Sequence, residues 1–330
     1  MRRSLLALGL ISALTLTGGC ASQDGTPSEE RRFLSIGTAP PGGAFFVVGG
    51  AVGEVLNENR GAEGWEVTAE ATKGSQENIR RLARGELDLA LANSAISYFA
   101  ARGEGAWDRA YPIRTVMTLA PNVALFITPE DSGVRSLPEL KGKRVVVGPA
   151  GAGFESFVQP ILGAHGLTYD DFSPLNATQA GAVNMLSDGS AAAAFLGGAI
   201  PTASITQASS TREIFFIPFD AGAIEQLTTD YLFFNRATIP AGTYRGQDED
   251  YHGLDVGSTH LITRADQDEE LIYALTKTIY ENRARVTERH ASGRAINAKN
   301  VVRDTGTEFH PGAVRYYREI GIWPDGRATN

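Results

Sequence analysis

Apolar and polar positions follow two rhythms along the chain. Residues 33–37 form a short apolar run that predicts a buried strand, and it opens into a Gly/Pro loop at 38–43. Over 44–57, Phe45, Val48, Val52, Val55 and Leu56 recur at helical spacing. Residues 65–71 alternate as a half-buried strand does. Thr72, Lys73, Gly74 and Ser75 make a turn, with Ser75 placed to cap a helix over 76–84. Residues 87–92 give the next strand. This β-α-β-α-β order predicts a parallel sheet covered by helices.

A second unit repeats the grammar. Two apolar strand-like pieces flank Pro121 and Asn122 within 116–128. A short helix and turn over 137–143 precede a buried strand at 144–148 and a Gly loop at 149–153. Helices follow at 154–165 and 177–186, and strands at 191–196 and 214–217. From 266 the tail is rich in helix formers, with Ile272, Leu275, Ile279 and Tyr280 at helical intervals. Strand, loop and helix thus recur before and after about residue 124, which predicts two similar α/β lobes.

The amino terminus reads as an address. Arg2 and Arg3 precede an apolar run at 5–16, too short to span a bilayer as a helix. Thr17, Gly18, Gly19 and Cys20 complete the layout of a secretory signal. The cysteine resembles that of a bacterial lipobox, although Thr17 stands where Leu is usual and Leu16 lies one place further back. The expectation is a signal peptide over 1–20, lipidation of Cys20 and a flexible tether over 21–31. That places the protein in the periplasm or otherwise outside the cytoplasm, held to the membrane by a lipid anchor.

Composition narrows the chemistry. Acidic residues exceed basic ones by 38 to 30, a balance that argues against a nucleic-acid surface. A single cysteine leaves no intramolecular disulfide and no thiolate zinc site. Gly151-Ala152-Gly153 lacks the third glycine of a dinucleotide loop, Ser156 standing in its place, and no Walker lysine follows. The five histidines have no metal-binding spacing, and no Gly-x-Ser-x-Gly elbow is present. Asp170-Asp171 and Asp248-Glu249-Asp250 sit among turn residues and read as solvated. No catalytic residue, metal or cofactor is expected; the chain reads as a binder rather than an enzyme.

Open α/β sheets bind ligands beyond the carboxyl ends of their strands. Four loops qualify: Gly43, Ala44, Phe45 and Phe46; Lys73, Ser75 and Gln76; Asn93 and Ser94; and Gly151, Ala152, Gly153 and Phe154. The loops at Lys73 and Gly151 put backbone N–H groups at helix starts, which suits a carboxylate or other anion. Phe45 and Phe46 also fit the core side of their helix, and Lys73 also fits a solvated loop.

Five segments in order resemble the TAXI solute receptors of TRAP transporters. They are Ile36-Gly37-Thr38 with Gly42-Gly43; 71–78, with Gly74-Ser75 and Asn78; 131–145; 239–250, with Gly242-Thr243-Tyr244; and Phe309-His310-Pro311-Gly312-Ala313 with Tyr316, Tyr317 and Glu319. The resemblance implies a two-lobed periplasmic-binding-protein-like fold of type II, each lobe a mixed sheet flanked by helices. Lobe 1 would take 32–123 plus 236–330 and lobe 2 would take 124–235, with the ligand cleft between them. It further implies delivery of a small organic acid or amino-acid-like solute to TRAP permease subunits in the membrane. This chain departs from the family where hydroxyls are usual, at Ala44, Phe45 and Phe46, at Ala152 and Phe154, and at 192–195. Those departures point to a more apolar pocket and a ligand with more hydrocarbon surface. The alternative is a lipoprotein of this fold that presents its ligand to a sensor or another protein partner.

Overall fold

The computed structural model describes residues 32–41, 44–60, 64–324 and 326. The expected signal peptide with Cys20, the tether and Gly43 lie outside the described residues. Strands and helices alternate from the first of them. They are β1 (Arg32–Gly37), α1 (Ala44–Glu58), β2 (Trp65–Glu70), α2 (Ser75–Ala83), β3 (Leu89–Asn93), α3 (Ser94–Arg102), β4 (Ile113–Thr118) and β5 (Val123–Pro129). Then come β6 (Arg144–Val146), α4 (Glu155–Ala164), β7 (Ser173–Leu175), α5 (Gln179–Ser187), β8 (Ala193–Gly198), α6 (Ala203–Thr211), β9 (Ile214–Ile217) and α7 (Ala221–Asp230). The chain continues through β10 (Asn235–Ile239), β11 (Tyr251–Asp255), β12 (Thr259–Arg264), α8 (Glu269–Glu281), α9 (Arg283–Arg289) and α10 (Pro311–Glu319).

The strands form two sheets. The first has the order β2-β1-β3-β12-β4, with β1 parallel to β2 and β3, and β12 antiparallel to β3 and β4. All of β3 is buried, as its unbroken Leu-Ala-Leu-Ala run requires of a strand covered on both faces. The second has the order β10-β11-β5-β8-β6-β7, with β9 also paired to β5. Both sheets are mixed and flanked by helices, the two-lobed periplasmic-binding-protein-like architecture.

The second sheet reaches further along the chain than the division at residue 235. Asn235 to Ile239 pairs antiparallel with Asp255 to Tyr251, and Leu254 pairs with Ala124. The ladder therefore holds β10 and β11 in the second sheet, and the chain returns to the first only at Thr259.

Two segments cross between the sheets, 119–122 and 256–258, and they are laced together. Leu119 N–H donates to Thr259 O at 2.7 Å, Thr259 N–H to Ala120 O at 2.9 Å and Val256 N–H to Asn122 O at 2.9 Å. Asp255, 2% exposed, accepts from Asn122 N–H at 2.9 Å and from Ser258 and Arg303. This lacing makes the hinge a two-stranded strap.

Candidate functional site

The carboxyl ends of β1, β3 and β6 face the seam between the lobes and feed three helix starts. At α2 the turn depends on glycine. Gly74 has φ +111°, a conformation that L side chains rarely adopt. The helix starts at Ser75, one residue before the sequence pattern places it, and Gly74 holds the cap position without a side-chain bond. Ser75 is thus not the cap; its hydroxyl accepts the Asn93 N–H at 3.0 Å, because β3 ends beside it. Asn78 fixes the helix from within. Its Nδ2 donates to Thr38 O and Leu91 O, both at 2.8 Å, tying α2 to the ends of β1 and β3.

At α3 the cap is Asn93. Its Oδ1 accepts from Ala95 N–H at 2.8 Å and its Nδ2 donates to Gly257 O at 2.7 Å. Ser94 donates its N–H to Ser258 O at 2.8 Å. The start of α3 is therefore occupied by the crossing strap. Ser94 and Ser97 are fully buried, with hydroxyls that find no protein partner among the described residues.

At α4 the loop turns on Gly148, Gly151 and Gly153, all with positive φ. The Phe154 ring fills the space a side chain on Gly148 would take. It also continues an aromatic column through Phe157 at 5.0 Å and Phe195 at 5.8 Å, ring centre to ring centre. Ala152 and Gly153 are buried, Phe154 is half-buried and Gly151 is exposed.

These starts meet across the seam. Gly153 presses on Gln76 and Ile96, and Gln76 Nε2 donates to Glu155 Oε1 at 2.6 Å. Among the described residues, no protein acceptor takes the N–H groups of Ser75 and Gln76 or of Phe154 and Glu155. The seam thus combines free backbone donors, one carboxylate and the Phe154 ring. Burial first, then the Glu155 charge, pushes the Tyr169 phenol above its ordinary range.

The other sequence-selected residues lie around this cluster. Ala44 is exposed at the start of α1, and Phe46 is half-buried. Phe45 packs against the first-lobe core. Lys73 is exposed, and its N–H donates to Glu77 Oε2 at 3.0 Å. Glu155 and Ile96 were absent from the sequence selection. Glu155 directly follows Phe154, and an acidic residue in a helix's first turn was the available signal. Among the described residues, no group of three or more His, Cys, Asp or Glu is arranged to hold a metal. No helix among them is long and apolar enough to cross a membrane.

Comparison with known proteins adds family and fold. Residues 36–321 match the profile of the NMT1-like family. A binding-protein component of an ABC phosphonate transporter from Pseudomonas aeruginosa superposes with a TM-score of 0.53 at 12% identity, over 79% of this chain and 78% of that one. PhnD1 from Prochlorococcus marinus (MIT 9301), in complex with methylphosphonate, gives 0.54 at 11% identity, over 88% and 96%. XAC2383 from Xanthomonas citri, bound to ATP, gives 0.52 at 10% identity, over 88% and 96%. At such identities the likeness is one of fold.

Proposed function

Because the chain belongs to the NMT1-like family, we propose that it is an extracytoplasmic receptor that captures a small solute between its lobes and hands it to a membrane permease. The observation that carries this reading is the meeting of two helix starts, α2 from one lobe and α4 from the other, joined by Gln76 and Glu155. Free N–H groups at both starts suit an oxyanion, and glycines let the backbone approach it. The fold relative that holds methylphosphonate supports an oxyanion of this kind.

The ligand carries a carboxylate or similar head and a hydrocarbon body. Phe154 supplies the apolar wall where the resembling family carries a hydroxyl. Gln76, Gly153 and Phe154 contact the ligand directly. Ser75 and Asn93 shape the loops through their bonds to each other and to the strap. The five TAXI-like segments favour a TRAP permease as the recipient. A lipid on Cys20 would keep the receptor at the membrane, where that permease lies. Binding without turnover fits a site built from backbone donors and rings.

Native mass spectrometry of the purified full chain identifies co-purified solute. Thermal melts with short carboxylates, sulfonates and phosphonates then rank candidates. A ligand at a hundred times its Kd adds about 2.7 kcal/mol of stability. Phe154→Asp should remove that gain. A gain that survives the substitution places the solute elsewhere.

A further inference from the structure

A cavity of about 310 Å³ lies at the lobe junction, beside the crossing strap and apart from the loops above. That volume is at the lower end of the roughly 300–1,000 Å³ typical of small-molecule sites. One wall is apolar, with Pro121 and Val123 from the strap, Ile200 from the end of β8 and Ala237 from β10. The opposing groups are donors: Asn235, Arg236 and Arg303.

Two of these donors are buried and unmatched. Among the described residues, neither Asn235 Nδ2 nor Arg303 Nε has a protein hydrogen-bond partner. Buried polar groups are rarely left so, because an unmade bond forfeits the full desolvation of the group. Arg303 spends its other nitrogens on the hinge, both Nη groups reaching Asp255 at 3.2–3.3 Å. Asp255 is the one carboxylate in the lining, and its oxygens already accept from Asn122, Ser258 and Arg303. An incoming anion therefore meets a saturated carboxylate on one side and unspent donors on the other. Arg236 adds a second guanidinium, paired outward with Glu225.

We propose that the junction cavity is a second ligand site, which takes a small oxyanion bearing a short hydrocarbon chain. The oxyanion accepts from Asn235 Nδ2 and Arg303 Nε, and the chain lies on Pro121, Val123 and Ile200. The site shares no residue with the loop site, so either reading can fail alone.

Isothermal titration of the full chain with butanesulfonate tests it, with butyltrimethylammonium as a cation of similar shape. Asn235→Leu removes a donor at constant size, and Ala237→Trp fills the cavity from a strand at the sheet edge. Unchanged melting of the unliganded variants shows that they fold. The expected result is sulfonate binding that each variant weakens at least about tenfold, the effect of losing one bond to a charged acceptor, with no binding of the cation. Absence of sulfonate binding at millimolar concentration, undiminished affinity in either variant, or equal binding of the cation overturns the proposal.

Discussion

Gln76 Nε2 donates to Glu155 Oε1 at 2.6 Å, and this bond joins the first turn of α2 in one lobe to the first turn of α4 in the other. A carboxylate acceptor makes it charge-assisted, with a net value of about 1.5–3 kcal/mol. That is enough to shift an open–closed equilibrium by roughly ten- to a hundredfold. Gln76→Glu places two carboxylates across the seam and should favour the open form. Small-angle scattering of the unliganded chain should then show a larger radius of gyration than the wild type. Equal radii would mean that the bond does not hold the lobes together.

Gly153 sets how closely the loop before α4 approaches the first lobe. Its φ is +91°, and a Cβ there would lie 2.8 Å from Ile96 Cδ1 and 2.9 Å from Gln76 Cγ. Gly153→Ala should cost about 2–4 kcal/mol, combining left-handed strain with overpacking. Gly151→Ala supplies the comparison. Its φ is +72°, yet nothing lies within 4 Å of the added carbon. It should cost only the strain, about 1–2 kcal/mol. Urea denaturation of the two variants separates the effects, and equal losses would show that the contact across the seam carries no weight.

The legible parts of this chain are local ones. Strand β1, helix α1 and the Gly loop before α4 follow from runs of neighbouring residues, and the structure places them within a residue or two of the pattern. What the pattern hides depends on distant partners. Ser75 looks like a helix cap because its neighbours suit one, but the Asn93 N–H, 18 positions away, takes its hydroxyl. Asn93 looks like a ligand contact because it ends a strand; its amide is used on Gly257, 164 positions away. Glu155 draws no notice beside the aromatic Phe154 until Gln76 arrives from 79 positions upstream. Strand β10 has the burial of an edge strand, with only Ile239 fully buried, so its apolar signal is weak and its sheet is set by the ladder to β11.

Asn93 couples the start of α3 to the crossing strap, and its two roles are separable. Asn93→Ala loses the cap for Ala95 N–H and the donor to Gly257 O. It should destabilise the chain by about 2 kcal/mol. Asn93→Asp keeps the cap acceptor but sets a buried carboxylate against the Gly257 carbonyl, so it should recover none of that loss. Urea midpoints of both variants decide the matter. Recovery in the Asp variant would mean that the bond to Gly257 adds little.

His260 should make the fold sensitive to mild acid. It is fully buried on β12, with its Nε2 2.6 Å from the Thr305 hydroxyl oxygen. Burial first, then the Arg303 guanidinium, holds its pKa down to about 3, against 6.5 ordinarily. The unfolded chain therefore takes up a proton below about pH 6.5 that the folded chain refuses until about pH 3. Stability is lost as pH falls through that window, and fully retained above it. Between pH 7 and pH 5 the loss amounts to about 2 kcal/mol. Burial lowers the pKa of His310 as well, which adds loss in the same direction. Burial raises that of Asp255, so the folded chain holds that proton longer and acid acts there in the opposite sense. His260→Gln removes one titration and leaves the other two. Urea unfolding free energies at the two pH values should therefore fall by about 2 kcal/mol less in the variant than in the wild type. Parallel losses in the two proteins would show that His260 accepts its proton in the folded state.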